Sequence, residues 1–215
     1  LNLDAFLALC SQAVSVLPLS GRLWAVYLRA ITRCQRPKSH MLALYEKAAH
    51  SRGVALLGGA SLLSLLQARI DCERAYAAME LAHAQKKSPD QVLVVTEMDH
   101  FMHVYELFLH SISAMQRLPA SEQDASVALE RCAVDWIERA SRALAQTAGL
   151  EASAGLYPLA DDVWTHALEQ HPMHATAYLE AAQYFQRRDD DKRARQTYKA
   201  ACLLYTSDAA DERSS

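Results

Sequence analysis

Glycine and proline are scarce in this sequence, six of each in 215 residues, and that scarcity leaves little room for disorder or long loops. Neither sign of charge dominates, with 22 Lys and Arg against 25 Asp and Glu. A dedicated nucleic-acid clamp is therefore disfavoured, because phosphate binding draws on a basic surface, and protein partners are favoured. Four of the five cysteines, Cys10, Cys34, Cys72 and Cys132, stand two dozen or more residues apart, which fits neither a zinc motif nor a dense disulfide framework. The most apolar run, residues 54–66, includes Gly58, Gly59 and two serines and is too short to span a bilayer. No membrane segment or signal peptide is visible. Also missing are a Gly-x-Ser-x-Gly elbow, a phosphate-binding glycine loop and a Cys-His arrangement, so the chain is not read as an enzyme and no cofactor is expected.

About half of the residues are apolar, enough for a sizeable core, and they recur at helical spacing nearly throughout. Residues 3–17 carry Leu3, Phe6, Leu7, Cys10, Val14 and Leu17 and stop at Pro18. Residues 23–33 place Trp24, Tyr27, Leu28 and Ile31 on one face, and residues 40–50 follow with Leu42, Tyr45 and Ala49 expected inward. A long helix is expected over residues 60–87, with Leu62, Leu66, Ile70, Ala77 and Leu81 as its stripe and Arg69, Glu73, Arg74, Glu80 and Lys86 on the other side. Asp90 is a candidate cap for the next helix, residues 91–117, with a bend expected near 96–99; Met102 and Tyr105 there repeat the three-apart pairing of Trp24 and Tyr27. A helix over residues 122–147 holds Trp136 and Ile137 inward, and a turn region begins at Gly149. The last pattern has three helices, residues 159–170 around Trp164, 175–188, and 192–201 with Ala194, Tyr198 and Ala201 inward, joined by Pro172 and by the polar turn at Asp189, Asp190 and Asp191.

One pattern occurs twice. Pro18, Trp24 and Tyr45 form a three-beat series of Pro, an aromatic six residues on and a second aromatic about twenty later; Pro172, Tyr178 and Tyr198 form the second. Trp164 and Tyr198 lie 34 residues apart, the period of a tetratricopeptide-like helix pair. The expected fold is all-α: antiparallel helix hairpins stacked as an α-solenoid, a tetratricopeptide-like superhelix in which each unit buries its aromatics against its neighbours.

The two ends are expected to be non-natural boundaries. Cys202 to Glu212 resembles the conceptual translation of a transposase-type sequencing adapter, so residues 202–215 are set apart from the helical array of residues 1–201. Leu1 is not Met and already opens an amphipathic helix, which reads as an internal fragment truncated at both ends.

The segment Leu23-Trp24-Ala25-Val26-Tyr27-Leu28 resembles the first helix of a half-a-tetratricopeptide (HAT) repeat, whose pattern pairs Trp and Tyr three apart. Ala194-Arg195-Gln196-Thr197-Tyr198-Lys199-Ala200-Ala201 is similar to the second-helix pattern, as are Leu44-Tyr45-Glu46-Lys47-Ala48 and, one place shifted, Trp136-Ile137-Glu138-Arg139-Ala140. The stretch from Gln12 to Trp24 and the final hairpin look closest to the spliceosome-recycling factors that reassemble the U4/U6 particle. The acidic residue that the family often carries seven positions after the first-helix aromatic is here Ile31, Leu109 or Phe185. The resemblance implies a nuclear, non-catalytic scaffold that holds proteins of a ribonucleoprotein complex together in RNA processing, with direct RNA contact secondary and a homodimer as a candidate state. Alternatives are a HAT protein of pre-rRNA processing or mRNA 3′-end cleavage, a general tetratricopeptide-like adaptor outside RNA processing and, more distantly, an all-helical enzyme using the histidines.

Three residue sets invite sharper readings. His100, His103 and His110, and His166, His171 and His174, lack the His-Glu-x-x-His order and a carboxylate at ligand spacing, so they are expected at surfaces or interfaces and no metal is expected. The aromatics resemble a base-stacking platform only in number; their helical spacing among apolar neighbours makes them core. Arg187, Arg188, Lys192, Arg193, Arg195 and Lys199 are interrupted by three aspartates, which reads first as a solvated turn and second as a docking edge.

Overall fold

The computed structural model describes residues 2–50, 58–87, 93–148 and 155–211. Among them every regular element is helical. The chain divides into two compact units, Leu1–Leu129 and Glu130–Ser215. The expected cap at Asp90, the helix start at 91–92, the turn at Gly149, the apolar residues 54–57 and the last residues, 212–215, lie outside the described residues.

In the first unit, α1 (Leu3–Val16) starts where the Asn2 side chain accepts hydrogen bonds from the backbone N–H groups of Asp4 and Ala5. It ends before Pro18, which cannot continue a helix. α2 (Gly21–Arg33) begins at Ser20, whose hydroxyl oxygen accepts from Leu23 N, and buries Trp24, Ala25, Leu28 and Ile31. It packs against α1, against α3 (Lys38–His50) and most extensively against α4 (Gly59–Lys87). Gly21 makes the closest approach possible: a Cβ placed there would lie 2.1 Å from the Ser61 carbonyl oxygen. The other end of this helix pairing is cross-linked by Tyr76, whose hydroxyl donates to the Arg36 carbonyl at 2.7 Å. α5 (Leu93–Met115) packs on α4, and its helical assignment is continuous through residues 96–99. A 3-10 turn (Ala120–Glu122) brings the Glu122 carboxylate onto the backbone N–H of Gly59 at the start of α4, where the free N–H groups and the helix dipole favour an anion.

Three expectations of the first unit fail. The buried residues of α3 are Met41, Leu44 and Ala48, with Leu42, Tyr45 and Ala49 only half-buried; the helix is rotated by one position, about 100°, and Tyr45 lies at its flank under the Arg69 guanidinium, 4.2 Å from the ring centroid. Met102 is 38% exposed while Tyr105 is 8% exposed and stacks with Phe101, so Phe101, one residue earlier, takes the inward place. Glu73, expected on the outer face of α4, is buried. Its carboxylate meets the Lys38 ammonium at 2.8 Å and lies 3.6 Å from the His103 ring, which links α3, α4 and α5.

The second unit contains α6 (Gln123–Ala148) from Glu130 onward, then α7 (Tyr157–Gln170), α8 (Ala175–Arg187) and α9 (Asp191–Asp211). α7 buries Ala160, Val163, Trp164 and Ala167; α8 buries Ala177, Ala181, Ala182, Tyr184 and Phe185. Small residues let α8 and α9 approach closely along their length, with Ala194, Thr197 and Ala201 on the buried face of α9. α9 does not close at Ala201; its helical backbone continues through residues 202–211.

The junctions before and after α2 and α8 are built alike. Leu17 N–H bonds to the Ala13 carbonyl and Ser20 N–H to Leu17; His171 N–H bonds to Ala167 and His174 N–H to His171, with Pro18 and Pro172 in the same place. Both helices have 13 residues. Each ends on a non-glycine residue with left-handed backbone, Gln35 at φ 51° and Asp189 at φ 57°. Arg36 N–H then reaches back to Ile31 and Gln35 N–H to Thr32, just as Asp190 N–H reaches Phe185 and Asp189 N–H reaches Gln186. This is the paired bonding of a Schellman motif.

Candidate functional site

The repeat positions named from the sequence fall into different environments. Trp24, Trp136 and Trp164 are buried, as are Tyr105 and Ala194; Tyr27, Tyr45, Tyr178 and Tyr198 are half-buried; Pro18, Pro172 and Met102 are exposed. The indoles are thus enclosed by the core and offer no face on which a base can stack. Tyr198 donates its hydroxyl proton to the Gln186 side chain at 2.9 Å, an edge contact between α9 and α8.

The six basic residues grouped as a docking edge do not form one edge. Arg193 is held by Asp161 at 2.8 Å and by Asp190 in the turn, with its guanidinium over the Phe185 ring. Those bonds have electrostatic consequences: the Arg193 backbone and side-chain donors hold the Asp190 carboxyl below its ordinary range, and the two carboxylates push the Arg193 guanidinium up. Arg195 meets Asp191 at 3.3 Å on the exposed surface. Lys192 and Lys199 are exposed on α9. Arg187 and Arg188 line a cleft.

That cleft has a volume of about 340 Å³ and is lined by Asp135, Glu138 and Arg142 of α6, Tyr157 of α7, and Arg187 and Arg188 at the end of α8. Each wall follows from local structure. Asp135, Glu138 and Arg142 recur at three- and four-residue spacing and so share a helix face. Tyr157 opens α7 beside Pro158, which suits a first helical turn. Arg188 is the C-cap of α8, where its positive charge complements the negative end of the helix dipole. Its guanidinium lies 3.5 Å from the Tyr157 ring centroid, a cation–π contact, while Arg187 meets the Glu138 carboxylate at 3.5 Å. Arg142 bonds through Nε to the Glu138 carbonyl at 3.3 Å. Among the described residues no carboxylate forms an ion pair with Arg142 or Arg188.

Two buried polar contacts escaped the sequence reading. Glu73 with Lys38 and His103 is one. The other is His171, whose Nε2 lies 3.2 Å from Glu130 Oε1 with both side chains almost fully enclosed; His171 was expected at a surface or interface. Residue spacing held the signal for both glutamates. Glu73 sits on the 66–70–77 stripe at helical spacing, and Glu130 falls between Val127 and Ala133 on the buried face of α6. Among the described residues no group of three or more His, Cys, Asp or Glu is arranged to hold a metal. Tyr184, buried beside α7, donates to Asp161 at 2.7 Å, and burial together with that bond pushes its phenol well above the usual range. Burial likewise pushes the Cys72 thiol up, against a partly compensating bond to Thr32.

Comparison of the chain with protein-family models, with curated proteins and with solved structures found no match. Among the described residues no helix is long and apolar enough to cross a membrane.

Proposed function

We propose that the chain is a non-catalytic helical-repeat scaffold, an α-solenoid of antiparallel hairpins that holds proteins of a ribonucleoprotein assembly together. The observation that carries this reading is the twice-built junction: the same proline turn, the same helix length and the same left-handed end at α2 and at α8. A repeated hairpin geometry of this kind suits stacking, because each hairpin buries its face only against the next. The ionisable side chains fit the same reading, since Glu73, Glu130, His171 and Arg193 are spent on contacts inside each unit rather than converging on a reacting centre.

The ribonucleoprotein setting rests on the HAT-like segments at residues 23–28 and 194–201, and recycling of the U4/U6 particle in the nucleus is its most specific form. The absence of any basic excess supports protein rather than RNA as the main partner. Immunoprecipitation of the tagged chain from nuclear extract, read by quantifying U4 and U6 RNAs against bulk nuclear RNA, tests it. Enrichment of both is expected; recovery at the level of bulk RNA sinks the splicing assignment.

A further inference from the structure

The geometry points to the cleft between α6, α7 and α8 as a docking site for an acidic peptide segment of a protein partner, with a carboxylate side chain held by Arg142 and Arg188. This deepens the scaffold reading and rests on it.

Three guanidiniums line the cleft, and only Arg187 is neutralised there, by Glu138. Arg142 and Arg188 keep their charge uncompensated by any carboxylate of the described residues, although both have backbone or ring contacts that fix their direction. Contact with the Tyr157 ring restrains the Arg188 guanidinium over it, so that less side-chain freedom is lost when it binds. A planar fork of N–H donors matches a carboxylate and gives short, charge-assisted bonds. The cleft lies at the lower end of the size range of ligand pockets, which suits one or two side chains of a peptide.

A peptide is favoured over a nucleic acid by the other half of the wall. Asp135 and Glu138 lie beside the arginines, so a continuous phosphate chain entering the cleft meets two carboxylates. An acidic side chain flanked by peptide N–H groups meets the arginines with its charge and the carboxylates with its donors.

The test uses the full chain and fluorescence anisotropy with a labelled peptide of alternating Glu and Gly, its Gln counterpart and a labelled oligouridylate. The Glu peptide binds and the Gln peptide does not. Arg142→Gln combined with Arg188→Gln weakens the Glu peptide by about tenfold or more, and Lys192→Gln combined with Lys199→Gln, which removes the same charge on α9, changes it by less than about twofold. Circular dichroism checks the fold; Arg142→Lys with Arg188→Lys keeps the charge, loses the fork and gives an intermediate loss. Equal binding of the Gln peptide, an equal loss from the lysine pair, displacement by free glutamate at the peptide's own concentration, or tighter oligouridylate binding through the same arginines each overturns the assignment. If the Glu peptide is refused while U4 and U6 RNAs still co-purify, the cleft assignment alone falls; the opposite pair of results removes the ribonucleoprotein setting and leaves the cleft.

Discussion

The indole N–H of Trp24 donates to the carbonyl oxygen of Pro18 at 2.7 Å. The proline that ends one helix and the aromatic six residues on are therefore joined directly: the turn's free carbonyl satisfies the one polar atom of a tryptophan that is otherwise buried. At the matching place after Pro172, Tyr178 makes no such bond among the described residues and is only half-buried.

Trp24→Phe keeps most of the buried surface and removes the donor, so it costs about 1–3 kcal/mol from the lost bond, the smaller ring and the carbonyl left without its partner. Tyr178→Phe costs under about 0.5 kcal/mol. Urea unfolding of the two variants checks the contrast, and equal losses count against the Pro18 bond.

Gly21→Ala forces a methyl group against the backbone of Ser61 and destabilises the chain by about 1–3 kcal/mol through overpacking of α2 on α4. Gly58→Ala meets nothing closer than 4.0 Å and stays within about 0.5 kcal/mol of the parent. Thermal unfolding of both separates this close approach from a general intolerance of alanine.

Much of this was legible and some was not, for identifiable reasons. The helices follow from apolar spacing and the proline stops, and the bounds of α4, expected over 60–87 and found at Gly59–Lys87, show how far that signal reaches. The helix ends at Gln35 and Asp189 carry no glycine to announce their left-handed backbone. Phe101 and Met102 are adjacent and both apolar, so the pattern does not say which faces inward. Glu73 lies on a visible stripe, but its charge argues for the outer face, and Lys38 and His103 from other helices help to make it tolerable inside. The cleft unites three helices, and no linear motif spans it.

His171→Leu leaves Glu130 without its imidazole contact in a buried place and costs about 1–3 kcal/mol. Glu130→Met combined with His171→Leu recovers most of that loss, since replacing both partners by apolar side chains leaves neither polar group buried without this contact. Urea midpoints of the single and double variants give the coupling; strict additivity contradicts a direct pairing.

Burial raises the pKa of the Cys10 and Cys72 thiols and of the Tyr76 and Tyr184 phenols above their ordinary values. A proton held more tightly in the folded state gives stability that is fully present below the unfolded values, about 8.5 for thiols and 10 for phenols, and is lost as pH rises through the folded ones. The urea midpoint is therefore expected to hold level from pH 7 to 8 and to fall from about pH 9 upward. Tyr184→Phe lowers the stability by about 1 kcal/mol at pH 7 through the lost Asp161 bond and makes the decline above about pH 10 shallower. A parallel decline in parent and variant contradicts a share for Tyr184.

The most direct measurement is quantitative mass spectrometry of the proteins that co-purify with the tagged chain, before and after exhaustive ribonuclease treatment. A scaffold that works through protein contacts retains the same small nuclear ribonucleoprotein components in both samples, within about twofold. Loss of those components on nuclease treatment makes RNA the bridge and contradicts a protein-docking role.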